Sequence, residues 1–176
     1  MPTNLLKKYP ELLDLAIYKN EKERDSSLLA IYNRDIVENN MLAFQSKRIY
    51  PTKDEDGEIE MSREFMHLTR EEITDNQPDG TNINKRVFDM YRSQRLHWIK
   101  PHIMEQTGER DIVIFSVNKA DPKTIIYNRK QKYVIILQPQ KRSGNAYYLL
   151  TAYYLNRDYG VKMIERQLKK KLDVVL

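Results

Sequence analysis

The chain has 176 residues, 40% hydrophobic and 31% charged, enough for one domain with a modest core and a well-solvated surface. It has no cysteine, which excludes structural disulfides and thiolate zinc sites, and no apolar run approaches the length that crosses a bilayer. The net charge of +5 divides unevenly, with 11 Lys+Arg against 17 Asp+Glu up to Ile83 and 19 against 8 from Asn84 onward. The first residues, Met-Pro-Thr-Asn-Leu-Leu-Lys-Lys, lack the apolar core of a secretory signal, so the expected location is the cytoplasm, with no membrane partner.

In chain order, the first segment predicts short helices near Pro10–Tyr18 and Glu21–Tyr32. Met41–Tyr50 and Ile59–Met61 flank Asp54-Glu55-Asp56-Gly57, which predicts a β-hairpin turning at Asp-Gly. Thr69-Arg70-Glu71-Glu72 resembles a capped helix start. Asn76-Gln77-Pro78-Asp79-Gly80 is the clearest turn cluster and coincides with the charge switch. It divides the chain into an acidic segment, 1–83, and a basic domain, 84–176.

Apolar residues at Phe88, Leu96, Ile99 and Ile103 predict one amphipathic helix from Asn84 to Glu105, kinked at Pro101 and ended by Gly108. Four runs follow: Asp111–Val117, Thr124–Tyr127, Lys132–Gln138 and Ala146–Leu155. They are rich in β-branched and aromatic residues and read as an antiparallel meander. Asp158-Tyr159-Gly160 ends it, and Val161, Ile164, Leu168 and Leu172 mark a last helix. The fold expected is α+β: N-terminal helices and a β-hairpin, then a long helix packed on a four-stranded antiparallel sheet, then a C-terminal helix.

Scattered single glycines leave no phosphate-cradling loop, and His97 and His102 are five apart, off the i, i+4 spacing of a helical metal pair, so no metal or cofactor is expected. A basic, tyrosine-rich unit suits nucleic acid, since cations meet phosphates and aromatic faces stack on bases. Cutting RNA without a metal requires an acid, a base and donors around the phosphate. His97 titrates near neutrality and is the natural acid or base. Arg92, Arg95, Lys100, Lys141 and Arg142 are candidate phosphate clamps, and Thr151 and Tyr153 share one strand face from which both can donate. The bland readings stand beside these: a solvated His97, Trp98 as a core anchor, a structural His67, and Arg166–Lys171 as a solvated helix face.

Arg92-Ser93-Gln94-Arg95-Leu96-His97-Trp98-Ile99-Lys100, then strands, then Tyr147-Tyr148-Leu149-Leu150-Thr151-Ala152-Tyr153-Tyr154, resembles the phage-associated members of the barnase–EndoU–colicin–RelE-like group. The resemblance covers Asn84 to the C-terminus and implies a metal-independent ribonuclease of toxin, phage or prophage type. RNA is the implied substrate, and an antitoxin or a phage or host protein a possible further partner. The matching positions are Arg95, His97 or Lys100, then Lys132 or Lys141, then Thr151 and Tyr153. The sequence thus points to RNA cleavage by acid–base transesterification to a cyclic phosphate. A non-catalytic nucleic-acid- or protein-binding module is the alternative, and an ADP-ribosyl-type transferase is weaker for want of a glutamate motif on a late strand. The acidic segment is further expected to mask the basic surface.

Overall fold

A computed structural model of the chain describes residues 3–50, 61–118, 120–141 and 144–176. A 3-10 turn, Thr3–Leu6, opens the chain. No helix follows at 10–18. Leu13 and Leu15 are both buried with Asp14 exposed between them, the alternation of an extended strand. The Asn4 side chain imitates a neighbouring strand here, donating to the Asp14 carbonyl at 2.9 Å and accepting from the Asp14 N–H at 2.8 Å.

Helix α1, Glu21–Tyr32, lies where the sequence places it, and Asn20 caps it by accepting from the Glu23 N–H. A π-helical turn, Asn33–Val37, prolongs it. Strands β1, Ala43–Phe44, and β2, Lys47–Tyr50, form a hairpin about Gln45-Ser46, both at positive φ (47° and 67°). The expected hairpin turn at 54–57 lies outside the described residues. Met61, expected in its second strand, instead begins helix α2, Met61–Thr69. Thr69-Arg70, expected to start a helix, ends α2 and begins strand β3, Arg70–Asn76. The turn cluster then joins β3 to β4, Asn82–Phe88, with Gly80 at φ 83°.

The helix expected over 84–105 is therefore corrected at both ends. Its first part is strand β4. The rest is broken into α3, Met90–Ser93, a 3-10 turn, Leu96–Trp98, and α4, Ile99–Ile103. The Asp89 side chain accepts from the Arg92 N–H and so starts a helix where a continuous one would pass through. Pro101 kinks nothing, because it falls in the first turn of α4, where its missing N–H has no partner to lose.

Strands β5, Ile112–Val117, β6, Lys123–Asn128, β7, Tyr133–Pro139, and β8, Ala146–Tyr154, form the expected antiparallel meander. The sheet is larger, however. Its order is β1-β2-β8-β7-β6-β5, and β2 runs parallel to β8, so it is a mixed, curled six-stranded sheet rather than a four-stranded antiparallel one. Helix α5, Asp158–Leu168, follows the sheet with Asp158-Tyr159-Gly160 as its first turn, and Leu172, expected within the helix, lies past its end with its N–H donating to the Ser116 carbonyl.

Both sheet faces are covered. Tyr133, Ile135 and Leu137 of β7 face a core built with Leu28, Ile31, Trp98 and Ile103, while Val134 faces a second cluster with Phe115, Tyr127 and Ile164. The first core draws residues from both sides of Asn84. Trp98 is 2% exposed, and its Nε1 donates to the Glu11 carbonyl at 3.0 Å, so it anchors this core.

Candidate functional site

Two features of β8 create the site. Among the described residues strand β2 pairs with Ala146–Tyr148, and α2 and α3 approach β8 beyond that stretch. The register then slips: Leu137 faces Leu149 but Ile136 faces Thr151, so Leu150 is an extra residue. The bulge reverses the alternation, and Tyr147, Leu149 and Ala152 all reach the same core. Thr151 and Tyr153 are thereby turned together, half-buried, away from that core.

Arg92 of α3 meets them. Its Nη1 lies 3.5 Å from Thr151 Oγ1, and its guanidinium carbon is 5.7 Å from the centre of the Tyr153 ring. Nη1 also donates to the main-chain carbonyls of His67 and Arg70, and Nε lies 3.5 Å from Asp89 Oδ2. Burial pushes the Arg92 guanidinium down from its ordinary pKa, and the carboxylates of Asp89 and Glu71 pull it back up. Burial pushes the Tyr153 phenol up, against the opposing pull of Arg92. Both groups keep their ordinary neutral-pH charge states.

Arg95 is 8% exposed. It stacks on Tyr154 at 3.9 Å, lies 5.1 Å from the Trp98 ring and donates to the Tyr91 carbonyl at 2.7 Å. The Nε atoms of Arg92 and Arg95 are buried without a hydrogen-bond partner among the described residues. The Tyr91 and Tyr154 rings lie 5.7 Å apart, and Tyr91 is half-exposed. A cleft of about 160 Å³ opens here, lined by Glu71, Asp89, Arg92, Tyr153, Arg157 and Tyr159 among others.

The expected site is thus gathered in part. Arg92, Thr151 and Tyr153 come together, while Arg95 lies on Tyr154 and Trp98, and neither Arg95 nor Thr151 lines the cleft. His97 and Lys100 do not join them: both line a separate cleft that shares no residue with this one. His97 is 4% exposed, and burial pushes its imidazole down to about 4, against the raising pull of Asp35 and the Glu11 carbonyl. Lys132 is exposed in the turn before β7. Lys141 pairs with Asp121 at 2.9 Å. Arg142 lies outside the described residues.

Glu71, Asp89, Tyr154, Arg157 and Tyr159 were missed. Asp89 carried a signal, an aspartate three residues before the amide it caps. Glu71 carried none, because its place depends on the β3–β4 ribbon. His67, expected to be structural, sits in α2 with its ring 3.4 Å from Arg86 and its carbonyl on Arg92.

His102 is buried in a satisfied network. Its Nδ1 faces the Trp98 carbonyl at 2.7 Å and its Nε2 faces Asn128 Nδ2 at 3.0 Å, which also donates to the Tyr9 hydroxyl. Among the described residues no group of three His, Asp or Glu side chains is placed to hold a metal ion, and no helix is long and apolar enough to cross a membrane. Comparison of the chain with protein-family models, with curated proteins and with solved structures finds no match.

Proposed function

We propose that the chain is a metal-independent endoribonuclease working in the cleft between α3 and the bulged end of β8. The observation that carries this reading is Arg92, held beside the Thr151 hydroxyl and over the Tyr153 ring at the wall of an open cleft. In transesterification the ribose 2′-oxygen attacks phosphorus, the bond from phosphorus to the 5′-oxygen breaks, and a cyclic phosphate remains. Glu71, at the cleft wall, is the carboxylate placed to take the 2′-proton. Tyr153, kept protonated by burial, gives its proton to the leaving 5′-oxygen, and the phenolate left behind is held by Arg92. Arg92 faces the non-bridging oxygens as charge accumulates there, with the Thr151 hydroxyl beside it behind the cleft wall. Water returns the proton from Glu71 to Tyr153. His97 has no part in this step.

One observation favours a second reading. Arg92 Nη1 is already committed to two main-chain carbonyls, as a structural strut would be. On that reading the cleft holds RNA by charge and stacking and does not cut it.

The test is incubation of the full-length protein with RNA in chelator, comparing wild type with Tyr153→Phe and Glu71→Gln. Cleavage to cyclic-phosphate ends that both substitutions reduce supports the nuclease. Salt-sensitive RNA retention with no cleavage by any of the three proteins supports the binding module.

A further inference from the structure

The cleft that holds His97 lies outside the site just described and shares none of its lining. It is formed by the 3-10 turn at Thr3–Leu6 and the residues after it, the π-helical turn after α1, and the start of α4. Its volume, about 560 Å³, falls in the range of small-ligand sites.

Its chemistry is lopsided. Lys7, Lys8, Arg34 and Lys100 line it against one carboxylate, Asp35. Asp35 is already neutralised, since Arg34 donates to its two oxygens from Nε and Nη2, each at 2.8 Å. Lys7 has a loose partner in Glu11 at 3.6 Å. Among the described residues Lys8 and Lys100 make no ion pair; Lys8 is exposed and Lys100 half-buried. An excess of cations around a concavity focuses potential on an anion.

The second observation is independent of charge. His97 lines the same cleft and is 4% exposed; neither buried ring nitrogen has a well-aligned hydrogen bond among the described residues, although the Glu11 carbonyl lies close enough to favour the imidazole proton. Buried polar atoms in folded proteins are almost always paired, so a turn of the ring that brings a nitrogen to the cleft wall would pair it with an entering ligand. A neutral imidazole offers one donor and one acceptor, which suits an anion that also carries a hydroxyl or a proton. Tyr9 lines the cleft as well, and its hydroxyl is held by Glu109 at 3.0 Å, which fixes the ring.

We infer that this cleft is a binding site for a phosphoryl group, presented by a small ligand up to the size of a nucleoside monophosphate. The lysines supply point charges to the dianion, and His97 supplies the directional hydrogen bond. Tyr9 supplies an aromatic wall for a ring on the ligand. A carboxylate would leave part of the cationic surplus unmatched.

The experiment follows the histidine side-chain resonances of the full-length protein by NMR, with His97 assigned by His97→Gln. The probes are inorganic phosphate, adenosine monophosphate and, as an uncharged control, adenosine, at constant ionic strength. The His97 resonance is expected to shift and saturate with the phosphorylated probes while the His67 resonance stays in place. In Lys100→Gln the same titration is expected to weaken about tenfold. Tighter saturation by the nucleotide assigns the ligand a ring against Tyr9, and equal saturation assigns the site to the anion alone. The inference is overturned if neither phosphorylated probe moves His97 up to about 10 mM. It is equally overturned if adenosine moves it as far, or if Lys100→Gln titrates like wild type.

Discussion

Acidification to pH 5 removes stability through two buried histidines. His97 and His102 are 4% and 2% exposed, and burial pushes both from the ordinary value near 6.5 down to about 4. The folded pKa is the lower one, so between about pH 6.5 and 4 the unfolded chain binds protons that the folded chain does not. Their contribution is therefore complete above pH 6.5 and is lost as pH falls through the window. Integrated from pH 7.5 to 5, each histidine accounts for about 2 kcal/mol, so the pair removes about 4 kcal/mol of a total that for such a domain is about 5–15 kcal/mol. His67 is also pushed down, chiefly by burial and then by Arg86, and adds a smaller loss of the same sign because it is half-exposed. The carboxyls of Glu109 and Asp121, held below their ordinary values by their hydrogen-bond partners, add a loss of the same sign toward the acid end. The assay is urea unfolding at several pH values from 7.5 to 5, with wild type beside His102→Gln. His102→Gln is less stable at pH 7.5, since it breaks the contact with the Trp98 carbonyl, but its loss on acidification is about 2 kcal/mol smaller. A wild-type stability that stays flat to pH 5, or a variant with the full wild-type slope, refutes the argument.

At the alkaline end Tyr9 behaves in the mirror sense. Burial and then Glu109 push its phenol up to about 12, so the unfolded chain ionises first, and stability falls as pH rises through 10; Tyr9→Phe is expected to make that limb shallower in the same unfolding series, with the buried phenols of Tyr32, Tyr133 and Tyr153, also pushed up, carrying the rest. Trp98→Ala empties the centre of the main core and unties Glu11, and thermal or urea unfolding is expected to register a loss of about 3–5 kcal/mol. The β1–β2 hairpin holds Gln45 and Ser46 at positive φ, where non-glycine residues are strained, so replacing the pair by Asn-Gly is expected to raise stability by about 1 kcal/mol in urea unfolding. On the proposed nuclease reading, Tyr153→Phe is expected to reduce RNA cleavage while leaving the unfolding midpoint close to wild type, because its hydroxyl has no hydrogen bond among the described residues.

The features legible in the sequence are those with local causes. Helix α1 was legible because a capping residue and the apolar residues Leu28, Ile31 and Tyr32 at helical spacing lie within one stretch of chain. The Asn76–Gly80 turn was found because glycine there takes a positive φ. The meander β5–β8 was found because β-branched runs alternate with turn residues. Arg92, Thr151 and Tyr153, expected to share a site from their places on one basic element and one strand, lie side by side in the structure. The error over 84–105 also has a local cause. Asn84–Phe88 has little helical or strand character of its own, and its state is decided by pairing with β3.

The tertiary structure alone decided the rest. Arg48 and Ala146 pair across the parallel seam between β2 and β8, and no local pattern encodes a register between segments so far apart in the chain. The bulge at Leu150 shows only when β8 is laid against β7, yet it turns Thr151 and Tyr153 toward Arg92. The rotation of the Leu96–Trp98 turn sends His97 to a different cleft from Arg92. Composition and spacing choose which elements form; which side chains share a cavity depends on the packing of distant segments.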